Sequence, residues 1–255
     1  MRRIQWRILC GMLSIVLFFP AWASDAVFTP AQKARIDVLI GQYIKDHPKM
    51  IIKSIIAHRQ AELAKRHAKV RETIKAEFSS LANPDFPTYW GSKKPKIMVI
   101  EFTDYQCAHC RDMADVVRDV VGKQADVRIV VRELPVLGHH SLLAAKVAML
   151  ASEQGHYASV HHHLMDAALP LNERSIMDIA KAHGMRPDVV SKQLKDKRLN
   201  DAIAVNFRLA KQLELMGTPA FIVSDAEGKH FYFVPGVISK ADFQALIKKI
   251  IASDD

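Results

Sequence analysis

The residues of this chain best suited to chemistry are two cysteines in a Cys-x-x-Cys motif, Cys107 and Cys110. An apolar run over residues 97–102 precedes them and predicts a buried strand, and a helical pattern follows. The first cysteine therefore lies at a helix N-terminus, where unpaired N–H groups and the helix dipole favour a thiolate. Because thiolates attack disulfides, the motif indicates thiol–disulfide exchange, with Cys107 as nucleophile and Cys110 as resolving thiol.

Two polar residues near the cysteines are candidates for tuning this pair. His109 lies between them and is expected to donate to, or electrostatically stabilise, the Cys107 thiolate, which would make the disulfide more oxidising. Glu101 interrupts the apolar strand. It is either a buried carboxylate that accepts or relays the Cys110 proton, or a side chain that points to solvent. The sequence leaves both positions of Glu101 open.

The first 23 residues have the pattern of a secretory signal peptide. Three arginines precede an apolar core over 8–19, and small residues flank a cleavage site at 21–23. The core is short for a membrane span, so export to the periplasm is favoured over an uncleaved anchor. Cleavage before Ser24 removes Cys10 and leaves the motif cysteines alone. One adjacent pair in an oxidising compartment favours a working redox pair over a structural staple.

The formal net charge of +9 is unevenly distributed. Residues 24–95 carry 13 Lys and Arg against 7 Asp and Glu, whereas residues 96–255 carry 20 of each. A solvated helix surface explains this surplus more simply than a basic arm for acidic partners or a membrane face. Nucleic-acid binding is not expected, because aromatic residues do not interleave with the charges.

Residues 24–90 predict two helices. The first is capped by Thr29-Pro30 and ends near His47-Pro48. The second runs to about residue 81, with apolar residues near a seven-residue spacing: Ile56, Leu63, Val70, Ile74, Phe78 and Leu81. An isolated pair of this size cannot bury both apolar stripes. The helices either dock onto the rest of the chain or pair with a second copy, and the favoured hypothesis is a dimerisation region over 24–90.

Residues 91–255 predict an α/β domain. Its signals follow in the order strand 97–103, helix from Cys107, strand 127–134, helices over about 139–214, strands 220–223 and 230–234, and a last helix capped by Ser239. His139 and His140 are expected in the loop before the helical segment. The fold class is thus βαβ, an inserted all-α segment, then ββα.

The tripeptide Gly217-Thr218-Pro219 opens the third strand of this domain. Proline at a strand start fits where no ladder N–H is needed, and a trans bond is the default on sequence grounds. Together with Glu101-Phe102-x4-Cys107-x2-Cys110, the tripeptide resembles the DsbA-like branch of the thioredoxin superfamily over about 96–252. The resemblance implies a thioredoxin fold with a helical insertion, a cis Pro219 beside the cysteines, a Thr218 that contacts substrate backbone, and Glu101 as the family's buried acid.

Departures from DsbA itself bear on the expected activity. Ala108 replaces a proline, and threonine before the cis-proline is more typical of the dimeric isomerases DsbC and DsbG. The arm over 24–90 is similar to that of Com1-like and ScsC-like proteins, which oligomerise through it. The resemblance implies a homodimeric periplasmic oxidoreductase or isomerase without a cofactor. Its implied partners are unfolded or misoxidised exported proteins and a membrane redox partner of DsbB or DsbD type.

Two other functions compete with this hypothesis. Cys107 and Cys110 could hold copper(I), or zinc with further ligands, and a chaperone that binds unfolded chains in a dimer cleft would not need the cysteines. The run His161-His162-His163 suggests a metal site, but consecutive helical residues point in different directions and cannot all reach one ion. A surface or packing role is therefore expected for this run, and no metal site is predicted.

Overall fold

The computed structural model describes residues 27–122 and 124–254, so the signal-like segment 1–23, with Cys10, lies outside the described residues. The chain divides into two compact units, residues 1–61 and 62–255. Within the described part, none of the helices combines the length and apolar character needed to cross a membrane.

The first unit contains helix α1 (Pro30–Asp46) and the start of helix α2 (Pro48–Ala82). Thr29 caps α1 as expected: its hydroxyl accepts the Gln32 N–H at 3.3 Å, and the Gln32 side chain accepts the Thr29 N–H at 2.8 Å. All of α1 is described, and none of its residues is buried. Its exposed large apolar side chains are Val38, Leu39, Ile40, Tyr43 and Ile44.

The second unit is built on a five-stranded mixed sheet in the order β1-β3-β2-β4-β5. The strands are β1 (Tyr89–Gly91), β2 (Ile97–Thr103), β3 (Val127–Glu133), β4 (Ala220–Asp225) and β5 (Phe231–Val234). Strands β2 and β3 are parallel with Ile97 opposite Val127, and the other neighbours are antiparallel. The helices after β2 are α3 (Ala108–Gly122), α4 (His139–Glu153), α5 (Tyr157–Asp166), α6 (Glu173–Ala182), α7 (Pro187–Gln193), α8 (Lys197–Gln212) and α9 (Lys240–Asp254).

Both faces of the sheet are covered, because every residue of the central strand β2 is buried. Alternate residues of a strand point to opposite faces. Ile97 and Val99 belong to one core with α3, α9 and the helical insertion α4–α8. Ile100 and Phe102 belong to a second core with α2 and the end of α8. This is a thioredoxin fold with an inserted all-α segment, as the sequence predicts.

The second half of α2 belongs to this sheet core. Val70, Ile74 and Leu81 are buried with β2 and β4 residues, and the ring of Phe78 lies where a Cβ at Gly228 would stand. Residues 70–82 are therefore docked onto the sheet, which is the less favoured of the two arrangements expected from the sequence. The boundary of the compact unit lies at residue 62, whereas the sequence analysis placed the end of the arm at residue 90.

Two local predictions were wrong. Residues 89–91 form the edge strand β1, paired with β3, where no strand was predicted. Three residues are too few to show an alternating pattern, so the pairing with β3 produces this strand. His139 and His140 open helix α4, which is capped by Gly138 at φ 103°, a backbone conformation that favours glycine.

Candidate active site

Cys107 lies immediately before α3, at the carboxyl end of the buried strand β2. Its backbone carbonyl accepts the N–H groups of Cys110 at 3.1 Å and Arg111 at 3.2 Å, and its own N–H donates to the Asp104 carbonyl at 3.1 Å. Cys107 is partly exposed and Cys110 is fully buried one turn later; both are free thiols. The strand-to-helix junction thus presents one sulfur of the pair to solvent and holds the other in the core.

The environment of Cys107 favours its thiolate. A hydrogen bond from the Cys110 side chain is the largest cause, and together with the Thr218 side chain and the N–H groups of Cys110 and His109 it lowers the pKa of Cys107 to about 5. Burial raises the pKa of Cys110 instead, and its bond to the Cys107 sulfur acts in the same direction. The pair therefore consists of an ionised nucleophile and a protonated resolving thiol.

Thr218 and Pro219 face the nucleophile from the start of β4. The Thr218–Pro219 bond is cis, as the resemblance implies and contrary to the trans default. The Sγ atom of Cys107 lies 3.3 Å from the Thr218 carbonyl oxygen, to which the thiol donates when it is protonated. These residues are 111 positions apart in sequence, and the pairing of β2 with β4 brings them together.

The Glu101 side chain is only 2% exposed. Of the two positions that the sequence leaves open, it therefore occupies the buried one and does not point to solvent. It follows the strand alternation of Val99, so it lies on the face of the sheet that α3 and Cys110 cover. Burial raises the pKa of Glu101 to about 7, against a smaller opposing effect of the nearby Thr103 hydroxyl. A carboxyl group with this pKa can exchange a proton near neutral pH.

His109 occupies a different environment from the one expected for its ring. The imidazole is 70% exposed, and its Nδ1 atom lies 3.7 Å from the Asp112 carboxylate. The contribution of His109 to the thiolate comes from its backbone N–H. The expected effect of the His109 ring on the Cys107 sulfur is therefore replaced by an effect of the His109 backbone N–H.

Buried polar contacts hold the loop before Cys107 in place. The Asp104 carboxylate accepts N–H groups from Gln106 at 2.8 Å, Val136 at 2.8 Å and Leu137 at 2.9 Å, which ties this loop to the segment after β3. The Arg111 guanidinium donates to the carbonyls of Tyr105, Leu164 and Ala167, which ties the first turn of α3 to α5. The loop is thus anchored to both the sheet and the helical insertion.

A second buried cluster, missed in the sequence analysis, lies behind this loop. The hydroxyls of Tyr105 and Tyr157 each donate to the Glu133 carboxylate at 2.9 Å, and the Tyr105 hydroxyl also meets His161 Nδ1 at 2.9 Å. Burial raises the pKa of Glu133 to about 8. His161 therefore has the packing role predicted for it. The charged residue Glu133 inside the apolar run of β3 was the signal for this cluster.

The described residues contain no group of three or more His, Cys, Asp or Glu side chains that could hold a metal ion. His163 approaches His183, with His163 Nδ1 3.1 Å from His183 Nε2, and does not share a site with its two neighbours in sequence. The reaction available to the two cysteine thiols themselves is nucleophilic exchange with disulfides.

The pH dependence of Cys107 alkylation should report its thiolate. We expect the iodoacetamide reaction of the reduced protein to be half-maximal near pH 5, the pKa of Cys107, and constant above it. Because this pKa lies below the unfolded value of about 8.5, the thiolate stabilises the reduced fold fully above pH 8.5, and that stability is lost as pH falls through 5. A Cys110→Ala control should shift the midpoint upward, and a wild-type midpoint near 8.5 would contradict the assignment.

Fold and site together define a class of protein: thioredoxin-like proteins that carry a dithiol at a helix N-terminus opposite a cis-proline. A family model described as DSBA-like thioredoxin domain matches residues 98–248, more than half of the chain. The chain therefore belongs to the DSBA-like thioredoxin domain family, and the resemblance is confirmed. Family and geometry agree on thiol–disulfide exchange as its general chemistry.

Solved structures extend this comparison. A thioredoxin-like oxidoreductase from Silicibacter pomeroyi DSS-3 is 31% identical, with a TM-score of 0.62 over 69% of this chain and 98% of that one. Proteus mirabilis ScsC in a transitional conformation is 21% identical, with a TM-score of 0.63 over 90% of this chain and all of its own. At that identity the likeness to ScsC shows the fold alone.

A partial sequence match is also found with the Na+/H+ antiporter NhaA 3 of Salinispora tropica. The two are 28% identical over 144 residues, which make up 56% of this chain and 22% of the antiporter. The chain thus spans about a fifth of the length of the curated relatives it matches. The name of the antiporter refers to the full-length protein, of which the matched segment makes up 22%.

Proposed function

We propose that this protein is a periplasmic oxidoreductase that forms or isomerises disulfide bonds in exported proteins through Cys107 and Cys110. The observation that carries the proposal is the asymmetry of the pair. A partly exposed thiol with a pKa of about 5 stands beside a buried, protonated thiol and next to Thr218, whose side chain helps to lower that pKa. This arrangement suits a nucleophile and a resolving thiol, and it explains why one sulfur is accessible and the other is not.

In the oxidising direction, a substrate thiolate attacks the Cys107 sulfur of the disulfide form. The Cys107–Cys110 bond breaks, a mixed disulfide forms, and Cys110 leaves as a thiolate. Glu101, with a pKa of about 7, is proposed to give Cys110 a proton directly or through water. A second substrate thiolate then attacks the substrate sulfur of the mixed disulfide. Cys107 leaves as its stable thiolate, and two electrons have passed from substrate to protein.

In the isomerising direction, the reduced protein starts the reaction. The Cys107 thiolate attacks a wrong substrate disulfide, a substrate thiolate is released, and that thiolate attacks another disulfide of the same substrate. Net electron transfer is zero when Cys107 is finally displaced. Recycling would need a DsbB-type membrane partner for the oxidising role or a DsbD-type partner for the isomerising role.

Thr218 and Pro219 are proposed as the substrate-binding loop. Thr218 lies at the nucleophilic sulfur, and its backbone precedes the strand β4. An extended substrate segment could therefore pair with this backbone while its cysteine reaches Cys107. His109, exposed two residues after the nucleophile, is proposed to contact the substrate or the recycling partner.

The enzymatic proposal is tested with the purified protein in two assays: reduction of insulin by dithiothreitol and recovery of activity from scrambled ribonuclease. We expect acceleration in at least the insulin assay, because both reactions pass through a mixed disulfide with Cys107. Acceleration of ribonuclease recovery would assign isomerase activity. A rate equal to that of buffer in both assays would contradict the proposal.

We also propose that the protein is a homodimer through its N-terminal region, within residues 24–90. The apolar side chains of α1 support this, since a helix with no buried residue leaves a contiguous patch open to a partner. The burial of Val70, Ile74 and Leu81 in the sheet core restricts the proposed interface to residues before 70.

The dimer proposal predicts that Ile40→Asp with Ile44→Asp converts the chain to a monomer. Charged groups would have to be buried without partners in the interface, which strongly disfavours association. Light scattering measures the mass, and Lys45→Asp, on the opposite face of the same helix, is the control that should remain dimeric. A dimeric mass for the double variant would contradict an interface at α1.

A further inference from the structure

The turn that follows helix α8 contains a residue with an unusual backbone conformation. Glu214 has a φ of +54° and is the one described residue other than glycine with a positive φ. The Leu215 N–H donates to the Ala210 carbonyl at 3.0 Å, and the Glu214 N–H donates to the Lys211 carbonyl at 3.1 Å. This is the Schellman pattern, in which the left-handed position is usually glycine because a Cβ is disfavoured there.

Glu214 is held by two basic residues of α2. Arg66 Nη2 donates to the Glu214 backbone carbonyl at 2.7 Å, and Arg66 Nε lies 3.0 Å from the Glu214 Oε2 atom. Lys69 Nζ lies 2.7 Å from Oε1. Arg66 and Lys69 are three positions apart and thus share one face of the helix. Their charges lower the pKa of Glu214, with Lys69 as the largest cause.

This contact joins a fixed helix to the start of the catalytic loop. The turns of α2 that follow Lys69 are buried in the sheet core through Val70 and Ile74. Glu214 stands four residues before Thr218, whose carbonyl lies at the nucleophilic sulfur. Between them no residue is in a helix or strand. Glu214 thus anchors one end of the short segment whose other end, held by the pairing of β4 with β2, carries Thr218 and Pro219.

The same contact borders the open surface beside the loop. Arg66 and Glu214 both line a cavity of about 610 Å³ toward Val136 and Phe207. They also line a second cavity of about 380 Å³ that reaches Thr218 and Pro219. A change in the Arg66–Glu214 contact would thus alter the surface on both sides of the loop.

We propose that Glu214, held by Arg66 and Lys69, is a positioning residue that orients the Thr218-Pro219 loop for protein substrates. The inference rests on the proposed function, because it assigns helix α2 a part in substrate affinity. It also explains why a glutamate occupies a position where glycine would fit the backbone better.

The variant Glu214→Gly separates positioning from simple helix capping. Glycine suits the left-handed conformation, so the fold is kept and the thermal midpoint should be equal or higher. Loss of the ion pairs should raise KM for reduced insulin or another protein substrate by about fivefold, the upper range for an exposed ion pair. We expect kcat to change less than twofold, and the reaction with dithiothreitol, which does not need the loop, to be unchanged.

A control and a double variant complete the test. Asp201→Asn removes another exposed ion pair of α8, that with Lys197 at 2.7 Å, and should leave KM unchanged. Arg66→Ala should also raise KM, and the two effects should add less than fully in the double variant, because the pair of Arg66 with the Glu214 carboxylate is lost in each.

Three outcomes would overturn the inference in distinguishable ways. If the wild-type protein acts on insulin but Glu214→Gly has the wild-type KM, the positioning role is wrong and the proposed function stands. If the effects of Arg66→Ala and Glu214→Gly add fully, the two residues do not act through one contact. If the wild-type protein acts on no protein disulfide, the proposed function fails and the inference fails with it.

Discussion

Replacing Cys107 with serine should slow disulfide exchange with protein substrates by on the order of 10³-fold or more, the scale seen when a nucleophile is removed. A serine hydroxyl is not ionised near neutral pH and cannot form the mixed disulfide. The expected loss is large because the environment of Cys107, which lowers its pKa to about 5, stabilises a thiolate that serine cannot supply. Insulin reduction and ribonuclease refolding both measure the effect.

Cys110→Ala is the matched variant for this experiment. It keeps the nucleophile and removes the thiol that resolves the mixed disulfide, so covalent complexes with substrates should accumulate and run as larger species on a non-reducing gel. Cys107→Ser should form none. Wild-type rates in Cys107→Ser would assign the activity to some other group and favour a chaperone-like role for the surface instead.

Replacing Ile74 with alanine should lower the free energy of unfolding by about 2–5 kcal/mol, the range for truncation of a buried isoleucine. Ile74 is fully buried in the core that α2 shares with β2 and β4. The substitution leaves a cavity between the helix and the sheet, which the surrounding side chains fill only in part. Urea unfolding of the reduced protein measures the effect.

Leu63→Ala on the same helix is the control. Its side chain is 51% exposed, so the free energy of unfolding should change by no more than about 0.5 kcal/mol. Equal effects of the two substitutions would mean that α2 is not packed on the sheet. The pair of variants therefore tests the finding that this helix belongs partly to the catalytic unit.

Much of the fold could be predicted because its signals are local. The buried strand β2, the βαβ unit, the helical insertion and the Thr29 cap each show in a few consecutive residues. The edge strand β1 does not, since it depends on pairing with β3, about forty residues away. The apolar spacing along α2 also has two physical solutions, a second copy or the sheet, and periodicity does not distinguish them.

Within the candidate site, the two cysteines could be predicted from the Cys-x-x-Cys motif. The Thr218-Pro219 loop could be predicted from the family resemblance. The burial of Glu101 was not, since a polar residue in an apolar strand fits both a half-exposed and a fully covered sheet. The Tyr105–Glu133–His161 cluster and the contact of Arg66 with Glu214 join residues 28 to 148 positions apart. Pairings of that kind are decided by tertiary packing.

The pairing of β2 with β4 has a consequence for how this protein is made. During synthesis, Cys107 emerges more than a hundred residues before Thr218 and the strand that completes the central pair. Non-local pairings of this length form late in folding because the intervening chain must be ordered first. The nascent chain therefore carries the cysteines without the Thr218 side chain, which helps to lower the pKa of Cys107. We therefore expect full reactivity of Cys107 only when the molecule is nearly complete.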